Sequence, residues 1–173
     1  MSRRDCPPHG KVLLALFALA SPLSAQKLHE LCGACHSEPA SDFQTHKHFG
    51  KGLSCDACHG ASAEHREATG HKPPDRVAGP SEQPAVCGAC HIPQRKDYES
   101  GKHGKLVISR SGPRAAACTT CHGTHSARAP AAMAAQCARC HASLPESCQK
   151  TPAVAAKVAC AGCHDPHRLV ARK

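Results

Sequence analysis

One five-residue pattern governs what this chain can become. C-x-x-C-H occurs six times, at Cys32–His36, Cys55–His59, Cys87–His91, Cys118–His122, Cys137–His141 and Cys160–His164. The six units use twelve of the 14 cysteines in 173 residues. Three chemistries employ paired cysteines. Disulfides suit an exported chain but give no reason for a histidine after every second Cys. Zinc needs four ligands, so units would have to pool, and zinc knuckles vary their ligands instead of fixing His directly after Cys. Covalent haem accounts for each letter. Two thiols add to the two vinyl groups of a porphyrin, two intervening residues let one turn of chain span them, and the next residue offers an imidazole to the iron. The expectation is six c-type haems. Their thioether residues are Cys32, Cys35, Cys55, Cys58, Cys87, Cys90, Cys118, Cys121, Cys137, Cys140, Cys160 and Cys163. Their proximal ligands are His36, His59, His91, His122, His141 and His164.

The N-terminus predicts export. Arg3, Arg4 and Lys11 form a basic region, Val12–Ala20 a short apolar run, and Leu23-Ser24-Ala25 a small-residue cleavage site. This reads as a signal peptide over 1–25, followed by one hexahaem domain over 26–173 in the periplasm or on the cell surface. The apolar run is short and is interrupted by Pro22, so no transmembrane segment is expected after cleavage. Only 16 of the remaining residues are Leu, Ile, Val or Phe. That is about 11%, well under the roughly 20% below which a chain tends to stay disordered. Phe43, Phe49 and Tyr98 are the only aromatic residues left. The side chains for an ordinary core are missing, and porphyrins would replace them. The expected fold is mostly irregular, with short α-helices and the haems forming the core. Helical turns should run through each unit. AAAC before Cys118 and AAMAAQC before Cys137 have helical composition. Leu106–Ser109 reads as a brief strand, and Pro73–Pro84 as a loop.

Six irons ask for six further axial ligands if none is to react. Eight histidines of the mature chain lie outside the units: His29, His46, His48, His65, His71, His103, His125 and His167. His48 and His103 each begin an H-(F)-G-K segment ahead of a unit. His65, His125 and His167 trail a unit by six, three and three residues. A repeat of leading His, unit and trailing His thus runs from His48 to His65 and again from His103 to His125, and its second half recurs from Cys160 to His167. The expected distal ligands are His48, His65, His71, His103, His125 and His167. His46 competes with His48, and His29 with His71. Met133, the only methionine left after cleavage, is an alternative axial sulfur, and Cys148 a weaker one. A histidine three residues past its unit cannot easily reach the far face of its own haem, so His125 and His167 should serve neighbouring ones.

The mature chain carries a formal charge of +7. Haem propionates would bring the total to roughly +1 oxidised and roughly −5 reduced. Lys and Arg are therefore propionate partners and solvated surface, and no nucleic-acid partner is expected. The scarcity of aromatic rings for stacking on bases agrees. Cys148 is the odd cysteine, a partly buried thiol or one half of an intermolecular disulfide.

With these features in place, the chain resembles the small periplasmic multihaem c-type cytochromes of the doubled C-x-x-C-H class. The segment CHSEPASDFQTHKHFGKGLSCDACHGASAEH is similar to repeats of the decahaem and pentahaem electron carriers of reductase and outer-membrane conduit systems. The resemblance implies low-spin bis-His haems set close together. It further implies an electron carrier, not an enzyme, between a donor (a quinol dehydrogenase or another cytochrome) and a terminal reductase or outer-membrane acceptor. The haem count departs from those carriers. Two other readings stand beside it: a nitrite, hydroxylamine or tetrathionate reductase with one open haem, and a subunit of a cytochrome filament.

Overall fold

The structure is a computed structural model, and it describes residues 22–111, 115–144, 146–150 and 160–172, with the backbone alone for 22–25. Most of the expected signal peptide lies outside the described residues. Helix α1 (Pro22–Gly33) runs through the Ala25–Gln26 junction.

Short helices joined by irregular chain make up the described residues. After α1 come α2 (Ser37–Gln44), α3 (Asp56–His59), α4 (Ala63–Glu67), α5 (Gln83–Gly88), α6 (Ile92–Ser100) and α7 (Lys102–Ile108). Then follow α8 (Cys118–His122), α9 (Pro130–Ala135), α10 (Glu146–Gln149) and α11 (Cys160–Cys163). Single 3-10 turns stand at Phe49–Lys51 and Cys137–Arg139. No strand occurs among the described residues; one antiparallel bridge joins His164 to Ala171. No described helix is long and apolar enough to cross a membrane.

Every C-x-x-C-H unit is a single helical turn. The histidine N–H donates to the carbonyl of the first cysteine, at 2.9 Å for His36, His59, His141 and His164 and 3.0 Å for His91. His122 ends α8 in the same way. Residues i, i+3 and i+4 share one helix face, so both thiols and the imidazole of a unit emerge on one side. The second and fourth units also share their exit. Gly60 and Gly123 follow the histidine at φ of +77° and +84°, a conformation that favours glycine. A Cβ would meet the Asp75 side chain at Gly60 and the Ser126 carbonyl at Gly123. An arginine then returns to each turn. Arg76 donates to the carbonyls of Cys58 (2.6 Å) and Ala57 (3.3 Å), and Arg128 to those of Thr119 (2.9 Å) and Thr120 (2.8 Å). These carbonyls lie at the end of a helical turn, and a guanidinium bonds two of them at once.

Two local expectations fail. Leu106–Ile108 closes helix α7 and forms no strand. Its β-branched residues favour strands only weakly, and no second strand exists among the described residues to pair with. A helix satisfies its own backbone and buries Val107 where α7 folds back on α6. AAAC before Cys118 is extended: Ala117 has φ −97° and ψ −178°, and helix begins only at Cys118. Tyr98 holds it there by donating to the Ala116 carbonyl (2.9 Å), while the Ala117 N–H donates to Thr120 Oγ1 (3.1 Å). The alanines of AAMAAQC do form helix, as α9. The loop expected over Pro73–Pro84 is irregular until α5 begins at Gln83.

Protein packing is confined to small clusters. His29 is 3% exposed, and its ring lies 4.8 Å from that of Phe49 and 6.2 Å from that of Phe43. The two phenylalanines meet edge to face at 6.0 Å. Farther on, Tyr98, Val107 and Ala117 are buried around the α6–α7 corner.

Candidate metal centres

Five imidazole pairs join a unit histidine to one outside the units, and His46 and His48, both outside, meet at 4.7 Å. His36 faces His65, ring centroids 5.9 Å apart. His59 faces His125 at 6.1 Å, and His91 faces His48 at 5.7 Å. His122 faces His167 at 6.1 Å, and His141 faces His103 at 6.0 Å. Ring planes are near parallel, from 14° for His122–His167 to 35° for His91–His48. In the His91–His48 pair the two Nε2 atoms are 3.5 Å apart. Two metal–nitrogen bonds of about 2 Å on opposite sides of one ion would put the nitrogens about 4 Å and the centroids about 6 Å apart. The five pairs cluster around that spacing.

Electrostatics and hydrogen bonding prepare these rings as ligands. Burial first, then the facing imidazole, lowers the pKa of His48, His103, His122 and His125. A lowered pKa favours the neutral ring, the form that has a lone pair to give a metal. Two rings are also oriented from behind. The Nδ1 of His59 lies 3.0 Å from the Arg76 carbonyl, and that of His65 2.6 Å from the Lys72 carbonyl. A carbonyl can only accept, so Nδ1 carries the proton and Nε2 is free to bind. Sequence reasoning missed these two carbonyls. Their only trace is a Pro-rich loop whose backbone can turn back toward the second unit.

Each distal candidate in a pair crosses to a unit other than the one beside it. The trailing His65, His125 and His167 reach the first, second and fourth units; the leading His48 and His103 reach the third and fifth. His125 and His167 each face the histidine of a unit other than their own. Between the competitors, His48 takes the facing position. The His46 ring sits 5.5 Å from that of Phe43, and its Nδ1 accepts the His48 N–H at 3.1 Å. His29 packs among the phenylalanines, with Nδ1 4.0 Å from Cys55 Sγ. His71 is exposed on a turn where its N–H donates to the Ala68 carbonyl (3.0 Å), and no described imidazole faces it.

Successive units also come near one another at their thiols. The side chains of Cys32 and Cys55, of Cys87 and Cys118, and of Cys137 and Cys160 lie within electrostatic reach of each other. The neighbouring Cys118 brings the Cys87 thiol down to about 7, and Cys118 is itself pushed up. Cys58 lies within electrostatic reach of Cys87, and Cys121 of Cys137. The six units therefore follow one another in chain order, first to last. The twelve unit cysteines are unbridged, and Cys148 is half-buried.

Among the described residues no group of three or more His, Cys, Asp or Glu is gathered around one point. A facing pair provides two ligands, which falls short of a tetrahedral zinc site. The remaining donors would have to come from a group outside the protein, and the four nitrogens of a porphyrin fit between two axial imidazoles. Ser54, next to Cys55, is 3% exposed, and its hydroxyl has no hydrogen-bond partner among the described residues. Buried polar atoms are normally paired, so this orphan also suits a further group at the second unit.

No protein-family model, no curated protein and no solved structure matches this chain.

Proposed function

We propose that the chain is an exported c-type cytochrome with six covalent haems, working as a periplasmic electron carrier and similar to the doubled-motif carriers of reductase and outer-membrane systems. The observation that carries this reading is the set of five facing imidazole pairs at 5.7–6.1 Å, each with one member fixed in a C-x-x-C-H turn. Haem, when bound, supplies an iron that gains and loses one electron.

The residues of this chain do the rest. The cysteine pairs Cys32/Cys35, Cys55/Cys58, Cys87/Cys90, Cys118/Cys121, Cys137/Cys140 and Cys160/Cys163 hold the six groups. At the first five units the two facing histidines would hold the bound group from both sides and would leave no place there for a substrate, which favours a carrier over an enzyme. The closeness of successive units at their cysteines would keep the groups in one file. Leu31 and Ile92 are 57% and 65% exposed, directly beside Cys32 and His91. Apolar side chains exposed next to attachment points are what flat apolar porphyrins would cover, and this supports a haem-built core.

Mass spectrometry of the protein exported from a strain able to mature c-type cytochromes tests the reading. Six haem masses on a chain beginning at Gln26 are expected; an unmodified mass overturns it.

A further inference from the structure

We propose, resting on the haem reading above, that the sixth centre, at Cys160–His164, is open on its distal side and binds a small diatomic ligand. The inference starts from a difference between units of one build. The His164 N–H donates to the Cys160 carbonyl at 2.9 Å, as in the other units, so the proximal half of the site is present. Yet among the described residues no imidazole faces His164, while the other five unit histidines each face one.

The eight remaining histidines can be followed one by one. Five are taken by the first five units. The nearest in sequence to His164 is His167, and the chain commits it elsewhere. The Asp165 carboxylate accepts the N–H of His167 (3.0 Å) and of Arg168 (2.7 Å), and Arg168 reaches Asp97 of α6 (2.8 Å). That turn delivers the His167 ring to His122 of the fourth unit. His29 and His46 are packed against Phe43, and His71 stands on the turn after α4. All three belong to N-terminal segments, whereas unit six lies within electrostatic reach of the fifth unit at Cys137 and is tied to α6 through Arg168.

An iron with one protein nitrogen is high-spin and exchanges its other axial ligand, and in the ferrous state it accepts π-acceptor diatomics.

Carbon monoxide is the probe, with the full haem-loaded protein. Mass spectrometry first counts the haems. The reduced protein should then bind one carbon monoxide per six haems, seen as a difference spectrum in about one sixth of the absorbance, with a matching fraction of high-spin ferric iron by electron paramagnetic resonance. Cys160→Ser/Cys163→Ser should lose one haem and all carbon monoxide binding, while the remaining five centres stay low-spin. His71→Ala should change nothing. Six haems with uniformly low-spin iron and no carbon monoxide binding would overturn the open site and leave the cytochrome reading intact. Conversion of one centre from low- to high-spin by His71→Ala would assign that ligand to His71 and likewise overturn it. Absence of attached haem would sink both.

Discussion

The segment from His29 to Ala117 and the segment from Cys118 onward carry the same C-x-x-C-H turns but are held together differently. The first contains Ala40, Phe43, Tyr98, Val107 and Ala117 as buried apolar residues, with His29, Ser54, Ser62 and Gln83 buried among them. From Cys118 to Arg172 not one described residue is buried. Helices α8 to α11 are four to six residues long, far below the length at which a helix persists unaided in water. What ties this part to the first is a short set of contacts, His141 to His103, His125 to His59, Arg168 to Asp97 and Thr119 to Gln83, with His167 to His122 inside the segment itself. One part of the molecule has a rudimentary protein core; the other has no buried residue among those described and, on the proposed reading, depends on what its cysteines and histidines hold.

The sharpest way to break this contrast is to remove the attachments altogether. With both cysteines of all six units changed to Ser, the chain should lose cooperative folding, because on the proposed reading the energy of binding the six groups is folding energy. Circular dichroism during heating should show no sigmoidal transition, and limited proteolysis should cut the segment after Ala117 first. A cooperative transition in that variant, or equal cutting of both segments, would show that the protein core suffices. A milder test stays with the loaded protein. Phe43→Ala removes the centre of the N-terminal cluster and should cost about 3 kcal/mol in denaturant unfolding. Leu144→Ala, at a site already 37% exposed, should cost under about 0.5 kcal/mol.

The same contrast explains how much could be read from the sequence. The helical turn at every unit, the scarcity of strand and the poverty of the core follow from spacing and composition, and all are present. The facing of His125 with His59 and of His167 with His122 is legible only as a negative: three residues are too few to reach round a group held by the same unit. Which neighbour receives each ring depends on the path of chain between units, and no local pattern encodes that. The Leu106–Ile108 helix was misread because β-branched residues were weighed without a partner strand, and Ala115–Ala117 because alanine's helix preference was weighed without the Tyr98 hydroxyl that holds the Ala116 carbonyl outward. His71 is a ligand candidate from supply and demand alone, and among the described residues it stands exposed on the turn after α4.

Tyr98 offers a finer probe of the protein-built half. Burial pushes its phenol up to about 12 from an ordinary value of 10.0. The folded state thus holds the proton more tightly than the unfolded chain. The stability this contributes is complete below about pH 10 and is lost as pH rises from 10 toward 12. Tyr98→Phe should cost about 1 kcal/mol at neutral pH, through the lost bond to Ala116. It should also flatten the alkaline fall in stability, measured as the denaturation midpoint against pH. An unchanged alkaline profile would place the Tyr98 ring outside the cluster.

The smallest effect is expected where the two segments meet through an ordinary ion pair. Arg168 bonds Asp97 at 2.8 Å, with the two side chains 57% and 34% exposed. Exposed pairs of this kind contribute between nothing and about 1 kcal/mol, and salt screens them. Arg168→Ala should therefore shift the denaturation midpoint of the loaded protein by no more than about 0.5 kcal/mol equivalent, and not at all in high salt. His167→Ala, one residue away, removes a ring facing His122 and should turn one further centre high-spin. If Arg168→Ala instead loosened the C-terminal segment as much as His167→Ala does, judged by proteolysis, ordinary protein contacts would be holding that half. The distinction between a half with a core and a half without one would then fail.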